Sequence, residues 1–136
     1  MRILIVEDDP IVAMTAAATL EDAGHDVVGP AYDVEEAWRL VEMRVPELAL
    51  VDINLAGHDE GLTLAQRFKD ELGLSSIFVS GQVSAARRRR SGALGVLSKP
   101  YDPRLLVEAV EVAREILAGG FPPPPSVPSA LEIFAG

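Results

Sequence analysis

The sequence predicts an α/β fold, a doubly wound five-stranded parallel sheet with helices on both faces. Three observations carry the prediction. Short apolar runs recur along the chain, a stretch with helical spacing follows each, and cap residues mark where helices start and stop. A run that is apolar at every position suits a strand covered on both faces. Right-handed crossovers then make parallel neighbours the default.

Arg2–Val6 (Arg-Ile-Leu-Ile-Val) is the first strand. Asp9 and Pro10 read as N-cap and first helical residue, because proline lacks only an N–H that would have no helical partner there. The Ala-rich helix stops at Ala23-Gly24, with the glycine in the left-handed cap position. Asp26–Gly29 is a short second strand, closed by Pro30. Asp33 with Glu36 makes a capping-box start, and Val34, Ala37, Trp38 and Val41 then form the buried stripe of the second helix. Leu48–Ile53 is the third strand, and Leu62, Ala65, Phe68 and Leu72 are the inner face of the third helix. Ser76–Val79, Ser84–Ser91 and Gly95–Ser98 follow as strand, helix and strand. Asp102-Pro103 repeats the cap-plus-proline start, and Leu105, Ala109, Val112 and Ile116 turn the last helix toward the sheet.

A chain of 136 residues is enough for one domain with a core, placed at residues 1–119. Residues 120–136 are a Pro-rich tail in which Pro122, Pro123, Pro124 and Pro125 favour an extended segment, and no output domain is expected. The apolar Leu131, Ile133 and Phe134 leave two alternatives: a disordered tail, or an end that packs on its own domain or on a neighbour. A net charge of −9 disfavours nucleic acid, whose non-specific binding rests on Lys and Arg. No apolar run approaches the roughly 18 residues of a membrane span, and the absence of cysteine excludes disulfides and thiolate metal sites. A cytoplasmic location is the expectation. The run Arg87–Arg90 is either a solvated helix face or a docking patch for an acidic partner.

In such sheets the reactive groups lie beyond the carboxyl ends of the strands. Glu7, Asp8 and Asp9 follow the first strand, Asp52 and Asn54 the third, Ser80-Gly81 the fourth and Lys99-Pro100 the fifth. Carboxylates gathered at one sheet end repel, so a cation must neutralise them or some must hold protons. A hard divalent ion with oxygen ligands, Mg²⁺ above all, suits the set and leaves one carboxylate ionised as a nucleophile toward phosphorus. Phosphoryl transfer needs charge neutralised on three equatorial oxygens. Mg²⁺, Lys99, and Ser80 with backbone N–H groups would cover one each.

The segments Val-Glu-Asp-Asp-Pro (Val6–Pro10), Leu-Val-Asp-Ile-Asn-Leu (Leu50–Leu55), Phe-Val-Ser-Gly (Phe78–Gly81) and Leu-Ser-Lys-Pro (Leu97–Pro100) resemble the receiver domain of two-component response regulators, of the stand-alone type. The resemblance implies a flavodoxin-like strand order 2-1-3-4-5, for which a member of this family is a standard illustration. It implies that Asp52 accepts the phosphoryl group and that Asp8 ligates Mg²⁺ directly, with Glu7 acting through water. Asn54 would give its backbone carbonyl, Ser80 would be the switch hydroxyl, and Lys99 would contact the phosphoryl group, next to a cis bond to Pro100. The partners implied are a sensor histidine kinase or phosphotransfer protein and an unspecified downstream protein, with a homodimer left open.

The departures matter too. Val96 stands where most receivers carry an aromatic switch residue, and Gly81 follows Ser80 where Ala or Thr is commoner. His58, in the loop Ala56–Gly61, is a surface residue near enough to Asp52 to affect hydrolysis. The chain is not expected to be an enzyme beyond accepting and hydrolysing its own phosphoryl group. An aspartate-nucleophile phosphatase would want a second Asp where Asn54 stands. A receiver-like interaction module that works without phosphorylation is the alternative reading.

Overall fold

The alternation read from the apolar pattern is present in the computed structural model, which describes residues 1–55, 60–81, 83–119 and 130–134. In chain order these are β1 (Arg2–Val6), α1 (Pro10–Asp22), β2 (Asp26–Ala31), α2 (Val34–Met43), β3 (Leu48–Asp52) and α3 (Glu60–Leu72). Then follow β4 (Ser76–Ser80), α4 (Val83–Arg89), β5 (Ala93–Ser98), α5 (Pro103–Leu117) and β6 (Leu131–Ile133).

The helix ends are set locally. Asp9 accepts from the N–H groups of Ile11 and Val12 at 3.0 and 3.3 Å, and Asp102 accepts from Arg104 at 2.9 Å. Asp33 accepts from the Glu36 N–H at 2.7 Å, while the Glu36 carboxylate accepts from the Tyr32 N–H at 2.8 Å. Both halves of a capping box are therefore made, the return half one residue earlier than usual. After α1, Gly24 has φ +93°. The N–H groups of Gly24 and His25 donate to the carbonyls of Glu21 and Leu20, a Schellman closure that needs the left-handed glycine.

The strands order as β2-β1-β3-β4-β5-β6, so the expected parallel order 2-1-3-4-5 is present. A sixth strand is added, antiparallel to β5. Helices α1 and α5 pack with Ile3, Ile5, Leu50 and Ile77 on one face. On the other face α2, α3 and α4 pack with Leu4, Val6, Val51 and Phe78 around Phe68.

Four expectations change. Strand β2 runs through Pro30 to Ala31, with a register shift against β1, because β2 is an edge strand where a missing N–H is tolerated. Leu72, the last residue of α3, is 42 % exposed, and the buried stripe ends at Phe68. In α5 the buried stripe is Leu106, Ala109, Val110, Val112 and Ala113, leaving Leu105 and Ile116 at its margin. Glu60 and Gly61 belong to α3 rather than to a loop, whereas His58 lies outside the described residues.

The apolar end of the tail packs on its own domain. Leu131 is buried with Leu97 and Leu106, and Phe134 lies against the opposite core. Among the described residues no helix is long and apolar enough to cross a membrane.

Candidate functional site

The carboxyl ends of β1, β3, β4 and β5 bring the expected groups together. Asp52 closes β3 and is 8 % exposed, and Glu7, just past β1, is 6 % exposed. Asp8 is on the surface beside them. Carboxylate oxygens of Glu7, Asp8 and Asp52 all lie within 4.8 Å of one another, a spacing that can hold a metal ion. Three acidic oxygens this close, two from buried side chains, are the hard, anionic donor set that a Mg²⁺-type ion takes.

Lys99, at the end of β5, reaches into the same cluster. Its Nζ is 2.8 Å from Glu7 Oε1 and 3.4 Å from Asp52 Oδ2. Backbone donors fix the carboxylates: the Asn54 N–H donates to Asp52 Oδ1 at 3.1 Å and the Asp9 N–H to Glu7 Oε2 at 3.2 Å. Ser80 is buried at the end of β4, paired with Ser98 of β5, and its carbonyl accepts from the Lys99 N–H at 2.9 Å. The peptide bond between Lys99 and Pro100 is cis.

The electrostatics show an excess of negative charge. Burial pushes the Glu7 carboxyl up to about 7, with Lys99 opposing the rise and the neighbouring Asp52 adding to it. Burial alone would lower the Lys99 ammonium, but its hydrogen bond to Glu7 and the charge of Asp52 outweigh that and hold it above the usual lysine range. One ammonium is shared between two buried carboxylates, with a third acid on the rim. A divalent cation would complete the balance.

Two contributors escaped the sequence reading. Burial raises the Tyr101 phenol, whose ring lines a cavity of about 20 Å³ together with Glu7, Asp52 and Val79. Its position directly after Lys99-Pro100 was the available signal. Gly61 lets α3 close on the site: a Cβ there would run into the Asp52 carbonyl oxygen and lie 2.7 Å from Ile53 Cα. Val96 of β5 is fully buried, paired in register with Phe78 of β4, in the core cluster that also holds Ala86 of α4.

A groove of about 510 Å³ opens beside Lys99, lined by Ile11, Val12 and Thr15 of α1 and by Pro100, Tyr101 and Pro103. Ile11 is 78 % exposed at its lip.

Comparison with known proteins agrees with this arrangement. The family model for the response regulator receiver domain matches residues 3–111. The transcriptional regulatory protein PdtaR of Mycobacterium tuberculosis is 33 % identical over 125 residues, covering 86 % of this chain and 60 % of the relative. The phyllosphere-induced regulator PhyR of Methylorubrum extorquens is 32 % identical over 104 residues, covering 75 % and 39 %. The chain therefore spans less than two thirds of these curated relatives. Among solved structures, the receiver domain of NtrX from Brucella abortus has a TM-score of 0.76 at 31 % identity, covering 83 % of this chain and 98 % of that one. A CheY-like receiver domain protein from Methanospirillum hungatei has a TM-score of 0.75 at 29 % identity, covering 87 % and 96 %. Sheet order, the acidic cluster beside Lys99 and the match over residues 3–111 point one way: this chain belongs to the response regulator receiver domain family of two-component signalling.

Proposed function

We propose that this receiver takes a phosphoryl group on Asp52 from a histidine kinase or phosphotransfer protein, and so switches a protein-interaction surface. One observation carries the reading: the clustered oxygens of Glu7, Asp8 and Asp52 share a site with the Lys99 ammonium. Mg²⁺ held by Asp8, Asp52 and the Asn54 carbonyl, with Glu7 behind water, would supply positive charge against the incoming phosphoryl oxygens.

The protein's own groups do the rest. The Asn54 N–H holds the Asp52 carboxylate in one orientation, ready to attack phosphorus as the bond to the donor nitrogen breaks. Lys99 already lies near Asp52 Oδ2, so its ammonium can turn from Glu7 to the phosphoryl oxygens without a large search. Ser80, at the neighbouring strand end, is the hydroxyl assigned to another of those oxygens. The groove over α1 beside Lys99, with Ile11 at its lip, fits the approach of the partner that carries the phosphoryl group. The chain would turn over no other substrate.

The test is labelling with a small phosphodonor and Mg²⁺, read by intact mass. The wild type should take one phosphoryl group, and Asp52→Asn none. Equal labelling of Asp52→Asn would refute the assignment. An unlabelled wild type that still binds its partner would favour the phosphorylation-independent module.

A further inference from the structure

Gly95 lies inside β5, where a glycine weakens a strand unless something needs the room. Its backbone is not left-handed, so conformation does not demand it. What needs the room is β6. A Cβ on residue 95 would run into the Glu132 carbonyl oxygen and lie 3.2 Å from Ile133 Cα.

The fit continues along the edge. The Ser98 N–H donates to the Ala130 carbonyl at 3.0 Å, and the Phe134 N–H donates to the Leu94 carbonyl at 2.9 Å. Leu131 and Ile133 pack toward α5, while Glu132 and Phe134 turn toward α4. There Arg87 Nε lies 2.8 Å from both Glu132 carboxylate oxygens, and the Arg90 guanidinium lies 5.3 Å from the Phe134 ring centroid. Two of the four arginines thus hold the tail. Arg88 and Arg89 are exposed and have no ion pair among the described residues. The edge accordingly reads a pattern in an extended chain: apolar, acidic, apolar, aromatic.

A three-residue strand paired on one side is a weak element, and strand addition at a sheet edge is a general way to bind an extended peptide. In a chain of net charge −9, Arg87 and Arg90 facing the tail, with Arg88 and Arg89 beside them in sequence, favour an acidic ligand at this edge. Among the described residues the tail offers one carboxylate, Glu132, so a more acidic segment would compete with it for the same arginine.

We propose that the β5 edge and α4 form a strand-accepting surface for an extended, acidic–apolar segment of a partner protein, and that residues 130–134 occupy it in cis until such a segment displaces them. This proposal does not depend on phosphorylation of Asp52.

The test uses the full chain with Leu131→Ser and Ile133→Ser, which releases the tail, and a fluorescent peptide copying residues 129–134. The released variant should lose hydrogen-exchange protection at the Ser98 amide and regain it when the peptide binds. The wild type should bind at least about tenfold more weakly, because its tethered strand competes at high effective concentration. Gly95→Val added to the released variant should abolish binding, and a peptide with Lys for Glu should bind at least about tenfold more weakly. A folded released variant that ignores the peptide would overturn the proposal. So would binding that survives Gly95→Val or is indifferent to the charge reversal. If the double variant does not fold, Glu132→Lys in the full chain undergoes the same titration, and the same outcomes support or overturn the proposal.

Discussion

Replacing Glu7 with Gln should remove a defined pH dependence from the stability of the metal-free protein. Burial, opposed by Lys99 and reinforced by Asp52, lifts the native Glu7 carboxyl from 4.5 to about 7. In the unfolded chain it returns to the ordinary value. Between these limits the native state keeps a proton that the unfolded state releases, so the free energy of unfolding falls as pH rises. The contribution is complete below about pH 4.5 and is lost as pH passes about 7. At about 1.4 kcal/mol per tenfold change in proton affinity, the ceiling is about 3 kcal/mol. That is a large share of the 5–15 kcal/mol on the order of which small domains are stable.

Urea unfolding in a chelator, from about pH 5 to about pH 8 at fixed ionic strength, reads the effect directly. The wild type should lose about 2–3 kcal/mol across the range. Glu7→Gln, a neutral isostere of the protonated acid, should match the wild type at the low end and exceed it at the high end. Millimolar Mg²⁺ should flatten the wild-type slope, because a cation at the cluster favours the ionised carboxylate. A wild-type stability that is flat or rising with pH, or a Glu7→Gln slope equal to it, would refute this account of the site.

Two further substitutions test how the scaffold holds the site. Gly61→Ala drives a Cβ into the backbone of Asp52 and Ile53 and should cost about 1–3 kcal/mol of unfolding free energy by overpacking, read by urea unfolding as a lowered midpoint. Asp33→Ala removes the acceptor of the Glu36 N–H and should cost about 1 kcal/mol, with the loss of protection seen by hydrogen exchange at the start of α2.

The helix starts at Asp9, Asp33 and Asp102 were legible because a cap and its partner lie within three residues of each other. The strands were legible because burial on both faces demands apolar residues at every position. The residue types of the site could be read for the same reason: Asp52 and Lys99 stand where apolar runs end. Misreadings fell where packing rather than local chemistry decides, as in the exposed Leu72 and the shifted stripe of α5.

The sequence by itself determined the elements, their order and the polar groups at the strand ends, since each is written in residues a few places apart. Only the tertiary structure decided which groups meet. Lys99 pairs with Glu7 across 92 positions because β1 and β5 flank β3 and β4 in a parallel sheet whose carboxyl ends coincide. Gly61 and Gly95 acquire meaning only from backbones distant in sequence, and the tail became a sixth strand because the β5 edge offers unpaired hydrogen bonds beside two arginines. Such meetings depend on register and strand order, which no local pattern encodes.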